Sequence, residues 1–211
     1  MVRDGNVISE YTFLNGGRVP RTKAFEPAEA LDCAMELFWR QGYAATPLDR
    51  LVRRTGASRY GLYATFGGKR DLLLASLERY SQAVMDPVLE PLENARASAT
   101  EIRRFFDRVL DVIRRPGDGR GCFICNVAFE RGALDVAAAG RVRRHFDRVR
   151  RLLARALGNA RRDGSLSRDL RVPACADHLL GTAAGAFLLA RSGMAIGFIQ
   201  RFVDTALRGL T

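Results

Sequence analysis

Hydrophobic residues recur at intervals of three and four positions from about residue 26 onwards, which is the period of an amphipathic α-helix. The first helix is predicted over residues 27–41, because Pro27 favours a helix start and Gly42 favours a helix end. Its apolar side chains lie on or beside one face: Ala30, Ala34, Leu37, Phe38 and Trp39. The sequence shows no strand pattern and no internal repeat, so the predicted fold class is all-α.

Two short helices follow at close spacing. In the first, Thr46 is predicted to cap a helix that has Pro47 at its first position and stops at Gly56. In the second, Ser58 is predicted to cap a helix that runs through Phe66. Helices this short are marginal in isolation. Their tight connection has the proportions of a helix-turn-helix.

The remaining sequence predicts further helices. One runs from Lys69 to about Val84, where Pro87 and Pro91 interrupt the pattern and mark a boundary between two parts. The others are predicted from a capping box at 98–101 to a turn at 116–119, from near Cys122, over 135–160, over 173–190 and over 195–209, with a polar loop at 161–171.

Charge narrows the class of partner. The 211 residues include 34 Lys and Arg against 23 Asp and Glu, a net charge of +11. Such a surplus favours polyanionic partners, either nucleic acid or an anionic membrane surface. No stretch reaches the roughly 18 uncharged apolar residues expected of a membrane span, and the N-terminus lacks the apolar core of a secretory signal. Four cysteines in a chain of this length are not a disulfide framework, so a reducing cytoplasm is expected.

The second short helix of the pair has an outward face with a chemical use. Leu62 and Phe66 are spaced to face inward, which leaves an outward stripe of Arg59, Tyr60, Tyr63 and Ala64. In a helix-turn-helix, the N-terminal part of the second helix enters the major groove of DNA. The alternative for the two tyrosines is ordinary packing against the following helix.

Each polar side chain on this face suits a particular contact with DNA. Arg59 can donate to guanine O6 and N7, and Tyr60 can reach a base or a phosphate. Tyr63 and Thr65 suit phosphate oxygens. Lys69 lies where the next helix begins, and helix N-termini favour anions. The short helix is therefore predicted to present these side chains to a double-stranded DNA operator.

Residues 30–77 resemble the DNA-binding domain of the TetR/AcrR family of transcriptional regulators. The matching positions are Leu37-Phe38, Gly42-Tyr43, Thr46, Leu51, Gly56, Ser58, Leu62-Tyr63, Phe66, Lys69 and Leu72. Residues 120–130, which read RGCFICNVAFE, resemble the ligand domain of one subgroup of that family. Carried over by position, the family's phosphate contacts fall on Thr46, Tyr63 and Lys69, and its base contacts fall on Ser58, Arg59 and Tyr60.

The sequence departs from the family pattern at four positions. Tyr60 stands where the family often has a small residue, and Thr65 stands where it often has histidine. Arg70 follows the lysine where an acidic residue is usual, and Gly68 replaces a polar cap. These departures leave the operator sequence open.

The resemblance implies a one-component regulator rather than an enzyme, without a metal or cofactor. Its expected organisation is a mobile basic arm at 1–25, a helix-turn-helix domain at 26–70 and a helical ligand-binding and dimerisation domain at 71–211. The family's members bind operators as homodimers, and a small-molecule effector releases a repressor from DNA. Two rivals stay open: a thiol-based redox or electrophile sensor or enzyme, and a basic helical protein that coats nucleic acid or membrane without specificity.

The second part of the sequence contains candidates for an effector pocket. It is rich in aromatic residues, and ligand pockets are mostly apolar with a few polar groups. The predicted ligand-binding residues are Phe105, Phe106, Phe123, Phe129, His145, Phe146 and His178. Phe187 is a further aromatic residue in this part of the sequence. Residues 141–171 also hold many arginines, for which a solvated face is the favoured interpretation and attraction to an acidic ligand or flanking DNA the alternative.

Cys122 and Cys125 are spaced so that their thiols can lie near each other on one helix. A thioredoxin-like site needs a βαβ context, and a structural zinc site needs about four ligands. A sensor thiol would need its pKa lowered, for example by a helix N-terminus. The apolar surroundings instead favour two buried, inert thiols whose pKa values are raised by burial.

Overall fold

The computed structural model describes residues 25–115, 119–130, 132 and 134–210. The helices are α1 Pro27–Gln41, α2 Leu48–Thr55, α3 Arg59–Phe66, α4 Lys69–Tyr80, α5 Asp86–Glu93, α6 Ala99–Arg114, α7 Phe123–Phe129, α8 Val136–Arg162, α9 Val172–Arg191 and α10 Ile196–Arg208. The described residues contain no strand, which confirms the all-α prediction. The basic arm, except for Phe25, and most of the turn predicted at 116–119 lie outside the described residues.

The first four helices form a unit around α1. Helix α1 packs against α2 and α4, and the inward side chains of Leu51, Leu62 and Leu72 are buried with it. Gly42 ends α1 with φ of 88°, and Gly56 ends α2 with φ of 70°. Side chains with a Cβ are disfavoured in that backbone region. The predicted turns are therefore confirmed at both positions: Gly42 ends α1 before the connection to α2, and Gly56 ends α2 before the connection to α3.

The predicted role of Thr46 as a helix cap was wrong. Helix α2 begins one residue later than expected, with Pro47 at the N-cap position and no side-chain cap. The Thr46 hydroxyl instead donates to the carbonyl oxygen of Gly42 at 2.6 Å, and the residue has no exposed surface. The Thr46 side chain is therefore directed back towards the end of α1, and Pro47 rather than Thr46 occupies the N-cap position of α2.

The predicted break at Pro87 and Pro91 was also wrong as a helix end. Helix α4 passes through a π-helical turn, Ser81–Met85, directly into α5. In this turn the N–H of Asp86 donates to the carbonyl oxygen of Ser81, five residues back, rather than four. Pro87 then occupies the first turn of α5, where a missing N–H is tolerated, and Pro91 lies inside that helix. The first interruption of the helix is at residues 94–98.

The second part is built on α8, which packs against α4, α5, α6, α7 and α9. Two arginines of α8 hold it to α5. Arg148 pairs with Asp86 at 2.6 Å and with Glu93 at 2.7 Å. Arg155 donates to the carbonyl oxygen of Leu92 at 2.6 Å. Most of the other arginines at 141–171 are exposed, in line with the favoured interpretation of a solvated face.

Helices α9 and α10 leave apolar surface uncovered. Helix α9 is long and apolar enough to cross a membrane by length and composition, which the sequence analysis did not anticipate, and about a third of its apolar stretch is buried. The exposed large apolar side chains of the pair include Leu188, Met194, Ile196, Phe198 and Phe202. Exposed apolar side chains of this size, on two helices that contact each other and on their connection, indicate an interaction surface.

Candidate DNA-reading surface and effector cavity

Ser58 caps the N-terminus of α3, the candidate DNA-reading helix, as the sequence predicted. Its hydroxyl oxygen accepts a 2.9 Å hydrogen bond from the N–H of Gly61, one of the unpaired amides at the N-terminus of α3. Leu62 is buried, and Phe66 packs against the core, so the inner face of α3 is fixed. The remaining side chains of α3 point away from the core.

The side chains on the outward face of α3 are exposed to solvent, as the sequence predicted. Tyr60 is 83% exposed and Tyr63 is 47% exposed, so packing does not account for Tyr60. The Tyr63 ring lies beside Gly68, where a Cβ would come within 3.5 Å of it. Arg59 and Thr65 are also exposed. The face can therefore donate hydrogen bonds to a duplex along the whole length of α3.

Thr46 does not join this surface, because its side chain is buried and its hydroxyl is engaged by Gly42. Lys69 lies at the first position of α4, and its Nζ lies 4.4 Å from the centroid of the Tyr43 ring. Burial lowers the pKa of Lys69, while Glu130 raises it. Arg70, where an acidic residue was usual in the family, pairs with Asp71 and with Asp135 at the start of α8.

A residue that the sequence analysis missed contacts Arg59. The Asp49 carboxylate, at the second position of α2, lies 2.6 Å from a guanidinium nitrogen of Arg59. Both side chains remain about two-thirds exposed, at 67% and 64%. One feature of the sequence could have drawn attention to Asp49: it is an acidic residue in the first turn of a predicted helix. The favourable interaction of such a residue with the helix dipole is sufficient to explain that position, so the contact with Arg59 could not be inferred from it.

The second part of the molecule contains a small apolar cavity beneath α7. Its volume is about 20 Å³, which is room for one water molecule. It is lined by Met85, Phe105, Cys122, Cys125, His145, Phe146, Val149, Leu180, Ala183, Ala184 and Phe187. A larger ligand would have to displace these side chains or α7 itself.

A larger cleft of about 200 Å³ lies between α4 and α8 and is open to solvent. Leu77, Ile124 and Val142 form its apolar wall, and Arg141, Arg144 and Arg148 are among its charged residues. His145 lines both this cleft and the small cavity. Burial and, to a smaller extent, the neighbouring Arg148 lower the pKa of His145 to about 4, while Asp86 opposes the shift. The imidazole is therefore neutral at physiological pH.

The predicted ligand residues divide into three groups. Phe105, His145 and Phe146 line the small cavity, and Phe187 does as well. Phe106 and Phe123 are buried in the core without lining it. Phe129 is 70% exposed and His178 is exposed, and neither side chain lines the cavity or the cleft. Both lie on the outer faces of their helices, which a helical period alone does not identify.

The cysteine pair lies at the N-terminus of α7, with Cys122 at the N-cap position. Burial alone raises the pKa of the Cys122 thiol, but donors from the Cys125 thiol, the Cys125 backbone and the Tyr80 hydroxyl bring it down to about 7. Donation to Cys122, together with burial, raises the pKa of Cys125 well above its usual range. Burial therefore raises both pKa values as expected, but for Cys122 the hydrogen-bonding groups outweigh it and the net shift is downward.

At its C-terminal end, helix α7 contacts the reading unit, which is the unit formed by α1 to α4 that contains α3. Glu130, just after α7, accepts hydrogen bonds from the backbone N–H groups of Tyr43 at 2.9 Å and Ala44 at 2.8 Å. These amides lie in the connection between α1 and α2. A Cβ on Gly42 would lie 2.8 Å from the Glu130 carboxylate, so glycine is needed there for the close approach as well as for its φ. Sequence reasoning missed Glu130.

The N-terminal end of α7 is tied to the same unit. The Asn126 side chain donates to the carbonyl oxygen of Arg120 at 2.7 Å, and Arg120 pairs with Glu36 of α1. The Arg120 guanidinium also lies 4.2 Å from the centroid of the Trp39 ring. Helix α7, which lines the cavity, is therefore joined to α1 at one end and to the α1–α2 connection at the other.

The chain matches two family models in separate segments. Residues 30–76 match the model for bacterial regulatory proteins of the tetR family, and residues 98–204 match the tetracyclin repressor-like C-terminal domain. No cluster of three or more His, Cys, Asp or Glu side chains that could hold a metal ion occurs in the part of the chain that the structure describes.

Relatives extend this likeness over most of the chain. The chain is 31% identical over 192 residues to the uncharacterized HTH-type transcriptional regulator YezE of Bacillus subtilis, covering 89% of this chain and 97% of the relative. It is 29% identical over 191 residues to the HTH-type transcriptional repressor ComR of Escherichia coli, covering 89% and 90%. Its fold is similar to that of the TetR-family regulator CifR, solved with 26-base-pair operator DNA, at a TM-score of 0.79 and 21% identity over 90% of this chain and 98% of the other. The chain therefore belongs to the TetR family of bacterial transcriptional regulators.

Proposed function

We propose that the protein is a cytoplasmic, non-enzymatic repressor that binds a pseudopalindromic operator as a homodimer and is released by a small-molecule effector. The observation that carries the DNA-binding part is the exposed polar stripe of α3, with Arg59 and Tyr60 at its N-terminal end and no core role for either. The relative ComR is named a transcriptional repressor, and this supports repression rather than activation.

The effector is proposed to enter the cleft between α4 and α8 and to expand the cavity beneath α7. The cleft offers an apolar wall and charged residues, and His145 separates it from the cavity. Since the cavity holds room for one water, a bound effector has to move α7 or its neighbours.

Movement of α7 is proposed to reach the reading helix through Glu130. Its carboxylate holds the amides of Tyr43 and Ala44, immediately before α2. An effector lowers operator affinity only if it binds better to the arrangement that fits DNA poorly. The Glu130 contact supplies the physical link between those two arrangements.

The homodimer is proposed to form through α9 and α10. These helices carry the exposed apolar residues Leu188, Ile196, Phe198 and Phe202, and such a surface is stabilised by a second copy of the same face. A dimer would present two copies of α3 to half-sites about 34–36 Å apart.

The test starts from selection of bound duplexes out of a randomised library, followed by anisotropy titrations of the selected sequence. The expected result is a palindromic sequence bound by a dimer with a strong dependence on salt. Equal affinity for all duplexes would instead favour a protein that coats nucleic acid without specificity. Loss of affinity on addition of a cell metabolite extract, followed by mass spectrometry of the bound molecule, would identify the effector.

A thiol-based sensor is a second candidate, because the pKa of Cys122 is lowered to about 7 at the edge of the effector cavity. In this function, a small electrophile that reaches the cavity would react with the Cys122 thiolate and move α7. Treatment with N-ethylmaleimide should then release the selected duplex from wild-type protein and leave the Cys122→Ala variant bound. Release of both proteins, or of neither, would remove the sensor function.

A further inference from the structure

We propose that Asp49 sets the base specificity of the reading helix by holding the Arg59 guanidinium in place, at the expense of affinity for DNA in general. The inference rests on the proposed DNA-binding function and adds a positioning residue outside α3. It concerns the pair formed by Asp49 at the start of α2 and Arg59 at the start of α3.

The backbone around the pair is rigid. Gly56 ends α2 in a left-handed conformation, and the Ser58 cap starts α3. The separation between positions 49 and 59 is therefore determined by the turn and not by the two side chains. The 2.6 Å contact uses one oxygen of Asp49 and one terminal nitrogen of Arg59.

The contact leaves the guanidinium able to read a base. Arginine has five N–H donors in a planar fork, and two of them on one edge suffice for guanine O6 and N7. Arg59 is 64% exposed in its side chain, and the described residues offer it no second carboxylate. An arginine without such a partner would lose side-chain rotamer entropy when it docks on a base. Because the contact with Asp49 already restricts Arg59, part of that entropy is lost before DNA binds, and the cost of docking is smaller.

The same carboxylate disfavours phosphate. Asp49 occupies the first turn of α2, where helix N–H groups attract negative charge. A DNA phosphate that approached this end of α2 would be repelled by the carboxylate at short range. Asp49 is therefore expected to weaken binding to every duplex and to strengthen the preference for one base pair.

These two effects have opposite signs, which separates them from a simple loss of folding. In Asp49→Asn and Asp49→Ala, discrimination at the base pair read by Arg59 should fall by up to about fivefold, the upper end of the range for an exposed ion pair. Affinity for a random duplex should rise by about twofold at low salt. Both quantities come from anisotropy titrations of the library-selected duplex, its single-base-pair variants and a random duplex, with thermal unfolding to confirm that each variant is folded.

Asp32→Asn is the matched control, because Asp32 pairs with Arg79 across α1 and α4 and its loss changes the net charge equally. It should leave discrimination unchanged. In an Arg59→Ala background, Asp49→Asn should also leave discrimination unchanged, since the partner is absent. A selected base preference that Asp49→Asn does not alter would overturn the role of Asp49 alone. A wild-type protein without any base preference would overturn the proposed function as well.

Discussion

The indole N–H of Trp39 donates a 3.0 Å hydrogen bond to the carbonyl oxygen of Gly121. Trp39 lies near the end of α1, and Gly121 lies two residues before α7 begins. With the Glu130 contact at the other end, α7 is held against the reading unit at both of its ends. A change in α7 therefore reaches α1 and the connection to α2 directly.

Removing one acceptor of the Glu130 contact should weaken this link. In Glu130→Gln, the amide keeps a single acceptor oxygen for the N–H groups of Tyr43 and Ala44, so we expect a loss of about 1 kcal/mol in the free energy of unfolding. Operator affinity should fall too, because the residues before α2 are no longer held. Chemical denaturation and anisotropy titration measure the two effects. Glu29→Gln, on the exposed part of α1, is the control, and equal behaviour of the two variants would contradict the link.

Arg59 and Lys69 should differ in the kind of affinity that they supply. Arg59→Ala should remove about 1–3 kcal/mol of discrimination at one base pair in each half-site. Lys69→Ala should weaken binding to all sequences and lower the slope of affinity against salt by about one. Titrations against matched and mismatched duplexes decide this, and an equal loss on every duplex for Arg59→Ala would remove it from base reading.

A charge on the exposed apolar face should separate the dimer. Phe198 is 41% exposed on α10, so Phe198→Glu should give monomers that keep a folded reading unit and lose operator affinity. Gly185 is a poorer site for this test, because a side chain there would meet Phe202 of the same chain at 3.4 Å. Sedimentation velocity measures the assembly. Val136→Glu is the control, since Val136 is 90% exposed on another helix, and a Phe198→Glu dimer would show that the interface lies elsewhere.

The thiol of Cys122 should react at neutral pH. Its rate of alkylation by iodoacetamide, followed by mass spectrometry of each cysteine, should rise with a midpoint near pH 7. Tyr80→Phe removes the buried hydroxyl that helps to lower this pKa, and should therefore move the midpoint upward. Cys175, whose pKa is raised by burial, serves as the internal comparison. A Cys122 midpoint at or above that of Cys175 would contradict the assignment.

His145 should make the protein less stable in acid. Its pKa is about 4 in the folded chain against about 6.5 when unfolded, so the unfolded state binds more protons between these values. Stability from the neutral imidazole is present above pH 6.5 and is lost as the pH falls towards 4, by up to about 3 kcal/mol. Urea unfolding of wild type and His145→Gln over this range isolates the effect from nearby carboxylates such as Asp86. Parallel curves for the two proteins would show that His145 does not contribute.

The helices with a strong apolar period were predictable from sequence, including α1, α8, α9 and α10, to within one or two residues. The glycine turns and the Ser58 cap were predictable for a different reason: each depends on the conformational or hydrogen-bonding preference of a single residue. The outward residues of α3 followed from the inward ones, because a short helix has two faces.

The errors arose where distant or competing partners decide. Thr46 had two possible partners within a few residues, and the Gly42 carbonyl took its hydroxyl. The contacts of Glu130 join positions 86 and 87 residues apart, which a single sequence does not reveal. Phe129 and His178 have the helical spacing of lining residues, but the neighbouring helices leave them uncovered.

The π-helical turn at Ser81–Met85 has a geometric consequence for the way α5 meets α8. Each residue of an α-helix advances the chain by about 100° around its axis, so an additional residue in a regular α-helix would rotate everything beyond it by that angle. The π-helical turn instead takes up the additional residue locally, within a single wider turn. Deleting Gln82 would therefore restore a regular α-helical turn and leave the face of α5 that meets Arg148 directed at α8. The turn thus absorbs a one-residue excess between α4 and α5 without changing which side of α5 meets α8.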